Sequence, residues 1–256
     1  IITLGGQMNK NDSERIATIL NGMGMESIDT PDHADVVIIN TCSVRQAAED
    51  RVSGLTKNLE KIKKQKPDLI VVVTGCLPGR DDNGLLKERL HHVDLYFPIH
   101  EIIHLPQRLS ELNPALRPMD DLEKDYLALR PTLDNTFQAF VTIQTGCNQF
   151  CTYCVVPYAR GREINRTVAD ILAEIKDLAS RGYIEITLLG QIVNHYIAPD
   201  RELFLADNPY KENDFAKLLW EINKIEGIER IHFTAPHPLY MDDEVIESIR
   251  EKILLK

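Results

Sequence analysis

The chain has 256 residues, of which 43% are hydrophobic and 27% charged, and its 29 basic and 39 acidic residues give a formal net charge of −10. This length predicts about two domains, and this share of apolar residues excludes a wholly disordered chain. The acidic balance excludes a protein that coats nucleic acid by bulk attraction, because that attraction needs a surplus of lysine and arginine on the contacting face.

The first hundred residues alternate strand-like and helix-like patterns. A strand is predicted to end at residues 3–6, and the N-cap signal Asp12-Ser13 predicts a helix that closes near Gly22. Runs of buried-strand type follow at residues 36–40, 69–74 and 93–97, with a long polar helix up to about Lys66 and another helix at about 82–90. This alternation predicts a parallel sheet in an N-terminal α/β domain, residues 1–112.

Residues 113–136 change in character, because prolines stand among acidic residues there without a sustained apolar period. We interpret this stretch as a linker. A second strand–helix series then occupies residues 137–256. Its predicted elements are strands at 139–144, 184–189 and 230–234, a helix capped by Thr167, a helix capped by Asp214, and a last helix from about Asp242. Three strands are too few to close an eight-stranded barrel, so the series predicts the first part of a partial (β/α) barrel.

No apolar run reaches the roughly 18 residues that a membrane span needs, and no charged-then-apolar signal segment opens the chain. We therefore predict a cytoplasmic protein with no membrane association. A start without methionine, within what reads as a strand, also predicts a true N-terminus further upstream.

Five cysteines are an odd number, which disfavours a disulfide framework and favours metal or redox chemistry. Cys147, Cys151 and Cys154 form a C-x3-C-x2-C pattern after a predicted strand, at the kind of strand end where α/β folds place their sites. Three thiolates can ligate three irons of a cubane cluster and leave the fourth iron open. Zinc is the alternative, but structural zinc sites usually combine two compact cysteine pairs, and the sequence has no second one.

Cys42 and Cys76 each follow a predicted buried strand. If those strands are neighbours, both cysteines emerge at the same edge of the sheet. From the residues alone, three interpretations of this pair remain open: a disulfide, a weak metal site, or two small buried side chains.

Several motifs together resemble the methylthiotransferase branch of the radical S-adenosylmethionine enzymes, most closely its MiaB type. The resemblance covers nearly the whole chain. It rests on TLGGQMNKNDSE (3–14), NTCSVR (40–45), TGC (74–76), TGCNQFCTYCVVPYARGRE (145–163), LLGQIVN (188–194) and APHP (235–238). The family continues beyond the end of this chain, with further barrel strands and a C-terminal RNA-binding domain, so the resemblance implies a truncated C-terminus.

The resemblance implies two [4Fe-4S] clusters. Cys147, Cys151 and Cys154 would hold one whose open iron binds S-adenosylmethionine, and Cys42 and Cys76 would be two of three ligands of an auxiliary, sulfur-donating cluster. The family's third ligand falls at position 6, where this chain has Gly6. Glycine has no side chain and cannot ligate. Either the auxiliary cluster is lost or incompletely held here, or another ligand substitutes, or the residue is an engineered or erroneous change.

The implied activity is methylthiolation of C2 of an N6-prenylated adenosine next to the anticodon in tRNA. The implied partners are the anticodon stem-loop and an electron donor such as a flavodoxin or ferredoxin. Alternatives within the family are methylthiolation of a ribosomal-protein aspartate or of threonylcarbamoyl-adenosine. An alternative of another class is a non-enzymatic iron–sulfur module for redox or metal binding.

Other residues carry weaker predictions. Gly190, Gln191, Asn194 and Tyr153 are predicted to contact S-adenosylmethionine, with loop capping as the alternative for the first three. Arg160 and Arg162, and after them Arg166, suit phosphate recognition because the arginine fork can bond two oxygens. Surface pairing with Glu163 or Asp170 is the alternative. Tyr153 and Tyr158 are predicted to stack on a base, whereas core packing is expected for Phe150. His232 and His237 receive no catalytic role.

Overall fold

The computed structural model describes residues 1–43, 46–90, 92–116, 126–131 and 137–250. The chain divides into two compact units. Unit 1 comprises residues 1–132 and 148–161, and unit 2 comprises residues 133–147 and 162–256. The boundaries 1–112, 113–136 and 137–256 stay a prediction. None of the helices in the described ranges has the length and apolar character that crossing a membrane requires.

Unit 1 alternates strands and helices in chain order. Its strands are β1 (Ile2–Thr3), β2 (Val36–Thr41), β3 (Ile70–Gly75) and β4 (Leu95–Tyr96). Its helices are α1 (Gln7–Gly22), α2 (Gln46–Gln65), α3 (Cys76–Arg80), α4 (Leu105–Leu112) and α5 (Val156–Arg160). Short 3-10 turns lie at Pro31–His33, Lys87–Arg89 and Ile99–His104.

The sheet of unit 1 has the strand order β1-β2-β3-β4, and every pair in it is parallel. β2 and β3 are buried along nearly their whole length, because β-branched residues fill both faces and helices cover them. The predicted parallel α/β architecture is confirmed.

A buried segment packs on this sheet from the middle of the chain. Tyr126, Leu127 and Leu129 belong to the same apolar cluster as Ile16 and Val72. They lie within the stretch interpreted as a linker, of which residues 117–125 and 132–136 are outside the described residues.

The first predicted helix forms and closes at Gly22, but its predicted N-cap and the helix expected at 82–90 are wrong. α1 begins at Gln7 with Gly6 at its N-cap, so Asp12 and Ser13 lie inside the helix. Asp12 bonds to residues distant in sequence instead of capping, which a local pattern cannot reveal. Of the helix expected at 82–90 only the turn Lys87–Arg89 forms. The Asp81 carboxylate accepts the backbone N–H groups of Leu86 and Lys87 and organises a loop there.

Unit 2 contains a parallel three-stranded sheet of order β5-β8-β9 and a small antiparallel pair, β6 and β7. Its strands are β5 (Gln138–Thr142), β6 (Gln144–Thr145), β7 (Ile164–Asn165), β8 (Glu185–Leu189) and β9 (Arg230–Phe233). Its helices are α6 (Val168–Ser180), α7 (Asp214–Asn223) and α8 (Asp243–Ser248), with 3-10 turns at Val193–His195, Arg201–Leu203 and Pro238–Tyr240. This series agrees with the predicted strand–helix order.

Helix caps in unit 2 follow the predicted chemistry with one correction. Thr167 accepts the backbone N–H of Asp170 and caps α6, as predicted. The cap of α7 is Asn213, whose side chain accepts two backbone N–H groups. Asp214 is therefore the first residue of that helix and not its cap.

Candidate functional site

Cys42 and Cys76 leave neighbouring parallel strands. The register pairs Thr41 of β2 with Gly75 of β3, so each cysteine is the next residue beyond a paired strand end. Both side chains are buried. No disulfide joins any of the five cysteines, all of which lie in the described part of the chain. The structure thus brings these two thiols to one edge of the sheet.

The turn before Cys76 is tightly determined. Gly75 has a φ of +102°, and a β-carbon there would collide with the backbone of Thr41. The Thr41 hydroxyl donates to the Thr74 carbonyl (2.6 Å) and accepts the backbone N–H of Leu77 (3.0 Å). These bonds hold the start of α3, and with it Cys76, against the end of β2.

Two hydroxyl groups beside this edge lack partners. The Oγ of Ser43, next to Cys42, and the Oγ1 of Thr74, two residues before Cys76, are buried and have no hydrogen-bond partner among the residues that the structure describes. Buried polar atoms of this kind call for an explanation such as an ion or another bound group. The edge therefore offers two thiols and two uncommitted hydroxyls to an inorganic ligand.

Position 6 supplies no further donor. Gly6 is exposed at the N-cap of α1, three residues beyond β1, with an extended backbone (φ −93°, ψ −160°) that any residue can adopt. A β-carbon there would meet nothing within 4 Å. Across the described ranges, no three His, Cys, Asp or Glu side chains are grouped so as to hold a metal ion. The residues present at this edge therefore do not fit a cluster that needs three protein thiolates.

The C-x3-C-x2-C loop begins and ends on a strand pair. β6 pairs with β7 antiparallel, which closes the loop at its base. Inside the loop, Gly146 and Phe150 adopt positive φ values of 71° and 47°, and the backbone N–H of Cys154 donates to the Cys151 carbonyl (2.8 Å). Cys147 is buried, whereas Cys151 and Cys154 are half-buried. Within the described residues these three side chains are not grouped so as to hold a metal ion either, so the structure does not bring them together as ligands. In number and kind, however, three thiols within eight residues are the donors that an iron–sulfur cluster requires.

A buried polar network in unit 1 includes the last residue of the loop helix α5. Arg160 Nη2 lies 2.6 Å from Asp12 Oδ2, and their side chains are 3% and 0% exposed. The Tyr126 hydroxyl donates to the other oxygen of Asp12. The guanidinium of Arg15 lies 5.2 Å from the centre of the Tyr126 ring. Sequence patterns missed this network, because its members lie up to 148 positions apart.

Charge and burial act together on this network. Burial opposes the positive charge of Arg160, but the neighbouring Asp12 carboxylate, with Cys76 next in importance, raises the pKa of Arg160 well above its usual value. Burial first, and then the negative charge of Asp12, raises the pKa of Tyr126. Arg160 is therefore a committed partner of Asp12, and contact of Arg160 with substrate stays a prediction.

The remaining arginines predicted to bind phosphate have different surroundings. Arg162 is exposed. Arg166 is buried, and its Nη1 lies 2.5 Å from Glu174 Oε2 and donates to the Thr142 carbonyl (3.0 Å). Only Arg162 of the three therefore presents its side chain to solvent.

Residues predicted to contact S-adenosylmethionine follow the end of β8. Asn194 is buried, donates to the His237 carbonyl (2.9 Å) and accepts the His237 backbone N–H (2.8 Å). A β-carbon at Gly190 would lie 3.0 Å from Val193 Cα, so the backbone turns closely there. Gln191 is half-buried. Asn194 thus braces one loop against another, and the predicted cofactor contacts stay a prediction.

Unit 2 also contains a polar contact that sequence reasoning missed. Glu163 Oε2 lies 3.1 Å from His195 Nδ1, and the His195 ring packs on Tyr240 with centroids 4.2 Å apart. The Gln144 side chain accepts the backbone N–H of Ile192 (3.2 Å). Of these residues only Glu163 and Ile192 lie within the motif strings, and neither string indicates the contact.

Three aromatic side chains near the loop cysteines are exposed. Tyr153 is 91% exposed, and Phe150 and Tyr158 form an edge-to-face pair with centroids 6.0 Å apart. The expectation of core packing for Phe150 is wrong, because 55% of the residue is exposed on a backbone turn at positive φ.

Two family models match the chain. Residues 1–98 match the Uncharacterized protein family UPF0004, and residues 141–254 match the Radical SAM superfamily. The two matches flank the segment interpreted as a linker.

Curated relatives match nearly the whole chain. Proteins named tRNA-2-methylthio-N(6)-dimethylallyladenosine synthase are 41% identical in Finegoldia magna, 43% in Thermoanaerobacter pseudethanolicus and 42% in Clostridium novyi. These matches cover 97%, 98% and 98% of this chain and 53%, 52% and 55% of the relatives. The chain therefore spans about half the length of the curated relatives it matches.

A solved structure supports the fold. The radical S-adenosylmethionine methyltransferase TsrM from Kitasatospora setae, with tryptophan and aza-SAM bound, matches with a TM-score of 0.52 at 13% identity, covering 96% of this chain and 58% of that chain. At this identity the match shows the fold alone, and the predicted α/β class is confirmed.

Proposed function

From a chain that joins a UPF0004 domain to a radical SAM domain, we propose a methylthiotransferase that modifies tRNA by a radical S-adenosylmethionine mechanism. The substrate position is C2 of an N6-prenylated adenosine next to the anticodon. The observation that carries this proposal is the 41–43% identity, over nearly the whole chain, to relatives that bear the name of that synthase.

The chemistry of the substrate supports a radical route. An unactivated aryl C–H cannot be deprotonated by a side chain at neutral pH, so a cofactor must supply the reactive species while the protein orients and shields it. Cys147, Cys151 and Cys154 would hold a [4Fe-4S] cluster. When bound, such a cluster supplies an electron to S-adenosylmethionine and thereby the radical that removes hydrogen from carbon.

The chain's own residues have distinct tasks in this proposal. Gly190, Gln191 and Asn194 line the carboxyl end of β8, where Asn194 fixes the loop that bears His237. Tyr153 is exposed on the cysteine loop and would contact S-adenosylmethionine or stack on an unpaired base, since single-stranded RNA is read by stacking. Arg162 is exposed and would bond a phosphate of the anticodon stem-loop.

The auxiliary, sulfur-donating cluster is proposed only in part. Cys42 and Cys76 supply two thiols, and Gly6 leaves the third position without a donor. The residues present do not fit a complete auxiliary cluster, so we expect this chain to lose that cluster or to hold it incompletely, and its sulfur transfer to suffer accordingly. The electron donor is proposed to be a small redox protein such as a flavodoxin or ferredoxin, and the reaction is placed in the cytoplasm.

The first experiment tests the reaction class. The full chain, reconstituted anaerobically with iron and sulfide and then reduced, is mixed with S-adenosylmethionine, and 5′-deoxyadenosine is measured by mass spectrometry. Release of 5′-deoxyadenosine that disappears in Cys151→Ser supports a radical enzyme. Absence of this product from well-reconstituted protein would leave the non-enzymatic iron–sulfur module as the better interpretation.

The second experiment tests the substrate. The gene is expressed in a strain that lacks its own methylthiotransferase for prenylated adenosine, and the nucleosides of total tRNA are analysed by mass spectrometry. Appearance of the methylthio derivative of prenylated adenosine supports the proposal. A methylthio derivative of threonylcarbamoyl-adenosine, or modification of the ribosomal-protein aspartate alone, would assign the chain to the corresponding alternative.

A further inference from the structure

We propose that Arg160 is a positioning residue, which anchors the segment 148–161 with Cys151 and Cys154 to the N-terminal α/β fold through Asp12. This inference deepens the proposed function, because it names the contact that would set the place of two loop cysteines. It assigns Arg160 a task other than phosphate binding.

The anchor is a buried ion pair in which both oxygens of the Asp12 carboxylate have a bonding partner. One carboxylate oxygen bonds Arg160 Nη2 (2.6 Å), and the other accepts the Tyr126 hydroxyl. Arg160 Nη1 is buried and has no hydrogen-bond partner in the described part of the chain. Within the described residues, the Asp12 carboxylate is therefore the one partner that fixes the guanidinium, and a buried charge-assisted bond of this kind prescribes both distance and orientation.

A second contact sets the segment against α3. A β-carbon at Gly79 would collide with the carbonyl of Ala159, the residue before Arg160. The backbones of α3 and α5 therefore touch at this point, and only glycine permits the approach. Since α3 begins at Cys76, the segment is held against the helix that starts at one of the strand-end cysteines.

The location of the segment in unit 1 agrees with this role. Residues 148–161 cluster with residues 1–132, although the strands at the base of the loop, β6 and β7, belong to unit 2. The place of Cys151 and Cys154 thus depends on contacts to α1 and α3. Arg162, two residues further, is exposed, so burial is specific to position 160 and does not extend to each arginine of the motif.

The test measures hydrogen exchange of backbone amides by mass spectrometry on the full chain. Arg160→Met removes the guanidinium but leaves the Asp12 charge buried, so it risks general unfolding. The double variant Asp12→Leu with Arg160→Met removes both charges, and apolar pairs of this kind commonly preserve stability. Arg181→Met, which removes an exposed partner of Asp177, is the matched control.

In the double variant we expect amides of 148–161 to exchange at least about tenfold faster, while β2 and β3 keep their protection. Arg160→Lys should retain part of the protection, since its ammonium can still reach a carboxylate, and Arg181→Met should change nothing. Unchanged exchange in 148–161, or acceleration spread equally over unit 1, would overturn the positioning role.

A product ratio links the anchor to the reaction. On a Gly6→Cys background, which supplies the third thiol that sulfur transfer needs, we expect the double variant to form at least about fivefold more 5′-deoxyadenosine per methylthio group transferred, because a displaced loop can still cleave S-adenosylmethionine but couples it poorly to substrate. An unchanged ratio would contradict the role in catalysis. If the unmodified chain forms no 5′-deoxyadenosine, the proposed function fails, whereas the exchange result still decides whether Arg160 anchors the loop.

Discussion

The two cysteine regions are built on opposite principles. Cys42 and Cys76 stand at the ends of paired parallel strands, where the backbone register of β2 and β3 sets their spacing. Cys151 and Cys154 stand on a loop that no sheet register positions, and the loop takes its shape from positive φ turns and from the buried Arg160–Asp12 pair. The sheet edge has only two thiols, but the backbone register fixes their geometry. The loop has three thiols, and their placement depends on the contacts that anchor the loop.

This contrast teaches where each site is vulnerable. A strand end tolerates changes that spare the backbone, because hydrogen bonds along the ladder determine its position. A loop site depends on a few side chains that are distant in sequence, and loss of one can move every ligand on it. Substitutions at the sheet edge and substitutions at the loop should therefore have different kinds of effect, which the following variants distinguish.

The largest effect is expected at the loop thiols. Cys151→Ser should reduce reductive cleavage of S-adenosylmethionine by more than about 100-fold, since even the loss of a residue that supports a metal ligand costs 10–100-fold. Cys42→Ser should leave this cleavage in place, because Cys42 belongs to the other region. The measurement is 5′-deoxyadenosine per iron in reconstituted protein, and equal losses in the two variants would contradict the division between the regions.

A gain of metal is expected at the sheet edge. Gly6→Cys adds a thiol at the N-cap of α1, three residues beyond β1, on a backbone that accepts any residue and with no atom of the described residues within 4 Å of the new β-carbon. Bound iron should rise from about four to about eight atoms per chain, as a second cubane becomes held. Gly6→Ser is the matched control. About eight iron atoms already present in the unmodified chain would show that the edge has a third ligand from elsewhere.

Two glycines of the sheet edge should respond very differently to alanine. Gly75→Ala forces a side chain onto a positive φ of 102° and into the backbone of Thr41, so the free energy of unfolding should fall by about 2–3 kcal/mol. Gly6→Ala has neither problem and should change it by less than about 0.5 kcal/mol. Urea denaturation measures both. Similar values for the two would mean that the tight turn before Cys76 does not hold that edge.

The parts of the fold that sequence predicted are those that local patterns determine. β2 and β3 were predicted to within one residue at each end, because runs of β-branched residues indicate buried strands. The placement of Cys42 and Cys76 at one edge followed from the alternation of strands and helices. Both conclusions need only neighbouring residues and the rule that parallel strands end at the same edge.

The parts that sequence missed depend on distant partners. Asp12 reads as a helix cap, yet its oxygens bond Arg160 and Tyr126, which lie 148 and 114 positions away. The burial of Arg160 against Asp12 is invisible in the sequence for the same reason. Buried ion pairs leave no periodic trace in the chain, so the anchor of the cysteine loop could be found only from the structure.

The smallest predicted effect probes that anchor through Tyr126. Burial and the Asp12 charge raise the pKa of Tyr126 above its ordinary value of 10.0. The folded state therefore keeps the phenol proton that the unfolded chain releases, so the stabilisation is complete below pH 10 and is lost as the pH rises further. Tyr126→Phe should lower the free energy of unfolding by about 1–2 kcal/mol at pH 8, through the lost bond to Asp12. Above pH 10, the free energy of unfolding of this variant should also fall less steeply with pH than that of the unmodified chain. Urea denaturation at a series of pH values measures both, and an identical dependence on pH would show that Tyr126 does not support the anchor.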